Sequence, residues 1–143
     1  MNRLVRLLAS FFYLGYLPDP GTFGSLAGLL IAWVFYGSLP ALFFVLTVLG
    51  LLVCRPAVNV FKSKDPQHFV LDEVCGMMLS VLWLPHSIIY FAGGFLLFRF
   101  FDILKPGPIR WLENRKNPMS IMWDDLAAGA VSNIILQIVS KII

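Results

Sequence analysis

The chain has 143 residues, 59% hydrophobic and 15% aromatic, with only 13% charged and a net charge of +3. A soluble domain is typically about a quarter charged. This balance, with a mean hydropathy of +0.82, therefore excludes a large soluble core and reads as a single domain, residues 1–143, embedded in a membrane. There is no basic stripe with interleaved aromatics, which excludes a nucleic-acid partner, and Cys54 and Cys75 sit in or beside apolar runs as small buried hydrophobes, not as a disulfide or zinc pair.

Residues 1–17 combine a basic start with an apolar centre but lack a small-x-small cleavage site, so they read as a retained interfacial or membrane-embedded segment. The next stretch, YLPDPGTFGS (16–25), holds two prolines and two glycines. This composition predicts a loop, with Ser25 or Thr22 capping a helix that starts at Leu26. Such a loop offers the backbone of Gly21 and the hydroxyls of Thr22 and Ser25 to an anion at a helix N-terminus; an ordinary capped turn is the competing reading. Leu26 to Cys54 is too long for one span of about 20 residues and is interrupted at 37–40, GSLP. It reads as a helical hairpin, with a single kinked helix as the alternative.

Residues 55–69 form a basic connection, helical to Ser63 and ended by Pro66. Asp72 and Glu73 then open a second apolar run to Leu84. A turn at 84–87 sends the chain back through Ile88 to Phe101. The end of that limb, FRFFDILKPGPI (98–109), packs Arg99, Asp102 and Lys105 at spacings of three, which are neighbours on one helical surface. Pro106 and Pro108 stop the helix. Residues 110–119 read as a short amphipathic surface helix or loop. Asp124 and Asp125 open the last apolar run, which ends at Ile143 and carries small residues suited to close helix packing at Ala127, Ala128, Gly129, Ala130 and Ser132.

Both turns, 37–40 and 84–87, lack Lys and Arg, whereas the connections on the opposite side hold nine of the eleven cations. The positive-inside rule puts that side in the cytoplasm. Two hairpins and a C-terminal helix then gather Asp72, Glu73, Asp102, Asp124 and Asp125 at one cytoplasmic interface. Left unneutralised these acids repel one another, which argues for a divalent cation. Hard oxygen ligands favour Mg²⁺, with Mn²⁺ as the alternative. Asp72 and Asp125 each have a glycine four residues on, Gly76 and Gly129, which permits two helices to approach until their acids share an ion. Arg99, as a fork, and Lys105, as a point charge, suit a phosphate. Metal, phosphate clamp and membrane together point to phosphoryl chemistry on a lipid head group.

PGTFGSLAG (20–28), DEVCGM (72–77), FRFFDILKPGPI (98–109) and IMWDDLAAG (121–129) resemble the four motifs of the phosphatidylglycerophosphatase A family. The resemblance implies an all-helical, Mg²⁺-dependent phosphatase of the bacterial inner membrane that converts phosphatidylglycerophosphate to phosphatidylglycerol. By it Asp72, Glu73, Asp102, Asp124 and Asp125 form the acidic site, with Arg99 and Lys105 beside it. Gly107 and Asp19 depart from the usual pattern without touching that chemistry. Two rivals fit less well. A CDP-alcohol phosphotransferase keeps its acids on two consecutive helices, and a small ion transporter or channel subunit needs them at mid-membrane depth.

Overall fold

The computed structural model describes residues 2–62, 68–105 and 119–142. The readings at Ser63, Pro66, Pro106, Pro108 and 110–118 lie outside the described residues. Those described form six α-helices and no strand, the all-helical class the sequence predicts. They are α1 (Asn2–Ala9), α2 (Pro20–Val34), α3 (Leu39–Phe61), α4 (Leu71–Ser80), α5 (Ile88–Leu104) and α6 (Ser120–Ile142).

Several boundaries differ from the sequence reading, each for a local reason. The predicted loop at 16–25 is helical from Pro20 onward. Proline at the first helical position lacks only an N–H that would have no partner there, and its fixed φ is already helical. Neither Thr22 nor Ser25 caps a helix at Leu26; the cap position is Asp19, in a left-handed conformation with φ 54°. Pro40 behaves like Pro20. It lies in the first turn of α3, so the break falls earlier, at a 3-10 turn over Tyr36–Ser38. The α4 helix stops at Ser80, short of Leu84, because its end is met by side chains. Asn133 of α6 donates to the carbonyls of Ser80 and Leu82, at 3.3 and 2.7 Å, and Gln137 donates to Leu82 at 3.2 Å. Helix-end carbonyls paired in this way need no further turn.

The centre of the molecule is α4, which packs against α2, α3, α5 and α6. Eight of its residues are buried, Asp72 among them. The limbs α2 and α3 do not pair along their length; both lean on α4. The N-terminal α1 lies on α3 and buries Val5 and Ala9. It is tied to the start of α4 by the Val70 amide, which donates to the Ala9 carbonyl at 2.9 Å.

Tyr36–Phe61 and Ser120–Ile142 are long and apolar enough to cross a membrane. The outward faces are apolar too, with Leu30, Phe44, Leu52, Ile88, Ile89, Leu96, Ile134 and Ile138 exposed. Apolar surface on this scale marks a membrane-facing exterior, while the acids are turned inward. Cys54 and Cys75 are free and buried, as expected.

Candidate active site

Three helices deliver the acids. Asp72 and Glu73 stand in the first turn of α4, where carboxylates complement the positive end of the helix dipole. Asp124 and Asp125 lie one turn inside α6, which begins at Ser120 and not at the acids themselves. Asp102 is in the last turn of α5. In each acid pair the first member accepts the next residue's amide. The Glu73 amide donates to Asp72 Oδ1 and the Asp125 amide to Asp124 Oδ1, both at 2.9 Å. These bonds fix the rotamers of Asp72 and Asp124.

The close approach of α4 and α6 rests on Gly76 and Gly129. A β-carbon on Gly129 would lie 2.3 Å from the Gly76 carbonyl oxygen, and one on Gly76 would lie 2.7 Å from the Asp125 carbonyl oxygen. Only glycine at both positions permits this spacing. One turn away it brings Asp72, Asp124 and Asp125 together, one carboxylate oxygen from each lying within 4.8 Å of the others. All three are buried, Asp125 to 2% exposure.

A line of ion pairs borders this triad. Arg99 Nη1 donates to Asp102 Oδ2 at 2.7 Å. Lys105 Nζ lies 3.5 Å from Asp102 Oδ1 and 2.7 Å from Asp124 Oδ2. The bridge from Lys105 to Asp124 joins α5 to α6. Sequence spacing pairs Lys105 with Asp102 alone, and no local signal announces a partner nineteen residues away. Lys105 ends α5 in a left-handed conformation, φ 44°. Burial disfavours its charge, but the carboxylates of Asp125, Asp124 and Asp102 outweigh that and raise its pKa.

The start of α2 faces the same place. A β-carbon on Gly21 would sit 3.1 Å from Arg99 Nη1 and 3.6 Å from Glu73 Oε1. Thr22 Oγ1 donates to Asp19 Oδ2 at 2.7 Å, and Ser25, fully buried, donates back to the Gly21 carbonyl at 2.8 Å. The Ser25 proton is therefore engaged within its own helix. The Gly21 backbone remains on the side toward Arg99.

Crowding leaves an electrostatic imbalance. Burial, then the charges of Asp125 and Glu73, push Asp72 well above the usual carboxylate range. Burial chiefly raises Glu73 to about 7. Glu73 Oε2 and Asp125 Oδ1 are buried without a hydrogen-bond partner. A buried carboxylate oxygen without a partner is expensive, and a cation shared by the triad would satisfy it. All the donors are hard oxygens, and there is no thiolate or imidazole among them, which fits Mg²⁺ or Mn²⁺ better than zinc.

A family model described as phosphatidylglycerophosphatase A matches residues 7–140. A phosphatidylglycerophosphatase A of Escherichia coli is 36% identical, the match covering 97% of this chain and 85% of that protein. One of Haemophilus influenzae is 34% identical, covering 92% and 86%. A Bacteroides thetaiotaomicron protein ascribed a phosphatidylinositol-3-phosphatase activity is 33% identical, covering 96% and 94%. No solved structure matches the chain.

Proposed function

The chain belongs to the phosphatidylglycerophosphatase A family of lipid phosphatases, and from that premise we propose that it hydrolyses phosphatidylglycerophosphate to phosphatidylglycerol and phosphate, with Mg²⁺ as cofactor. The observation that carries this is the buried triad of Asp72, Asp124 and Asp125 bordered by two cations on Asp102 and Asp124. Opposite charges arranged in this way suit a dianionic phosphomonoester approaching a metal.

In this reading Asp72, Asp124 and Asp125 hold the ion, with Glu73 beside them. When bound, the ion supplies Lewis-acid polarisation of the phosphoryl oxygen and lowers the pKa of water. Asp102 orients Arg99 and Lys105, and these two cations grip the phosphate oxygens. The Gly21 backbone and Thr22, at the positive end of α2, add donors on the far side. In the net reaction the P–O bond to the glycerol breaks as an oxygen from water takes its place on phosphorus. A proton from that water goes to the glycerol oxygen, which leaves on the lipid as a hydroxyl, and phosphate departs into water.

The bacterial inner membrane is the proposed location, with the acid-bearing helix ends on the cytoplasmic face, because Lys62 and Lys105 close their helices on that side while the turns at 37–40 and 84–87 carry no cation. A transport role is less well supported, because the acids lie near helix ends and not along a pathway through the middle. The test is phosphate release from phosphatidylglycerophosphate by purified protein in detergent, with Mg²⁺ and with chelator. Turnover that requires the ion is expected; full activity in chelator would remove the metal from the mechanism. The Bacteroides relative makes a phosphatidylinositol phosphate the control substrate.

A further inference from the structure

We infer that the groove between α2 and α5 holds one acyl chain of the lipid whose phosphate enters the acidic site; this rests on the phosphatase reading above. The groove encloses about 410 Å³ and is lined only by apolar side chains, Leu26, Leu29, Leu30 and Trp33 of α2 with Ile88, Phe91 and Ala92 of α5. Its course is set by helical periodicity. On α2, Thr22, Leu26, Leu29 and Trp33 follow one another at spacings of three and four, which is one face of a helix. On α5 the same holds for Arg99, Phe95, Ala92 and Ile88. Each apolar stripe therefore runs up to a residue of the proposed phosphate clamp, Thr22 on one wall and Arg99 on the other. The two walls meet at that end, where Gly21 approaches the Arg99 guanidinium.

Length agrees with this occupant. Thr22 to Trp33 and Arg99 to Ile88 are each about 16 Å of helix at 1.5 Å per residue, close to the depth of about 15 Å of one leaflet's hydrocarbon. The far end is stopped by aromatic rings. His86 lies between Trp33 and Tyr36, at centroid distances of 4.0 and 4.6 Å. Trp33 meets Phe91 edge-on at 5.2 Å. Polar handles pin this plug, His86 Nε2 on the Trp33 carbonyl at 3.1 Å and the Tyr36 hydroxyl on the Leu84 carbonyl. The two walls thus lead toward the proposed phosphate clamp at one end and are closed by the rings at a fixed depth at the other. Ala92, exposed and small on the α5 wall, leaves the space that a chain would fill.

The experiment uses full-length protein in mixed micelles with dioleoyl and dihexanoyl phosphatidylglycerophosphate, comparing Ala92→Phe with Ile89→Phe. Ile89 is 80% exposed and does not line the groove. Ala92→Phe should raise KM for the dioleoyl lipid about tenfold, the worth of roughly two buried methylenes. It should leave kcat and the dihexanoyl KM near wild type, while Ile89→Phe changes neither. An unchanged dioleoyl KM in Ala92→Phe, or an equal shift in Ile89→Phe, overturns the inference. A second readout is independent of turnover. A dioleoyl-length phosphatidylglycerophosphate with a diazirine at the end of one acyl chain should label Trp33 and Ile88. Label spread over outward residues such as Leu52 and Ile138 overturns the groove whatever the activity. Label at Trp33 in a protein that releases no phosphate from either lipid keeps the groove and defeats the phosphatase reading.

Discussion

Arg99 shows how much hangs on one guanidinium. Its side chain is 17% exposed and held by Asp102, so it is not a cation snorkelling freely to the lipid surface. Lysine at this position keeps the charge but loses the planar fork. Arg99→Lys should lower kcat/KM about 100-fold, whereas Lys105→Arg, which preserves a point contact to Asp124, should be milder. Steady-state rates in mixed micelles, on variants checked by size exclusion, decide between them; a near-silent Arg99→Lys would leave Arg99 as a structural partner of Asp102 only. Asp125 separates chemistry from stability. Asp125→Asn should cut turnover by about three orders of magnitude. In chelator its melting temperature should equal or exceed that of wild type, because one of three crowded buried carboxylates has been neutralised. A lower melting temperature in chelator would mean that the carboxylate is a structural acceptor. At this scale the acids were legible from the sequence, since ionised groups beside apolar runs are costly without a task. The Ser25 hydroxyl was not, because a serine near a helix start bonds as easily within its own helix as to a ligand.

Between elements, the contact of α4 with α6 governs the site. The spacing that puts Gly76 four residues after Asp72, and Gly129 four after Asp125, is visible in the sequence, and the structure uses both glycines as the surfaces that touch. A methyl at Gly129 would meet the Gly76 backbone, which cannot rotate aside. Gly129→Ala should therefore destabilise the fold by about 1–3 kcal/mol. It should also weaken the response to Mg²⁺, because moving the helices apart opens the triad. Thermal unfolding in detergent, with and without Mg²⁺, checks both. A variant of wild-type stability with a wild-type Mg²⁺ shift would show that the helices yield without disturbing the acids. Element boundaries were less legible. Pro20 and Pro40 read as breakers, but both stand in first turns, where proline is at home; only the partners beyond such a residue decide between start and stop. The early end of α4 depended on Asn133 and Gln137, fifty residues away, a distance that no local pattern spans.

For the whole molecule, the prediction is orientation. The turns at Tyr36–Ser38 and near Ser87 carry no cation, whereas Lys62 closes α3 on the opposite side, so the positive-inside rule sets Lys62 in the cytoplasm. With Cys54 and Cys75 replaced, Ser38→Cys and Ser87→Cys should react with an impermeant maleimide added outside, and Lys62→Cys only after the membrane is opened; the reverse pattern would turn the protein over. The apolar exterior was legible in the composition, and the helical elements in apolar runs of helix length set between turn signals. The packing plan was not. Apolar runs of similar hydropathy gave no sign that α4 would be enclosed by α2, α3, α5 and α6. That enclosure governs how the protein is made. Ten residues with an acidic start are too short and too polar to partition into lipid alone, whereas α3 and α6 can. The ribosome delivers α4 well before α6, so each nascent copy passes through a stage at which its future core lacks one wall. The last helix to emerge supplies that wall, and copies truncated after Leu104 should be cleared by membrane quality-control proteases faster than the full-length chain in a pulse-chase measurement.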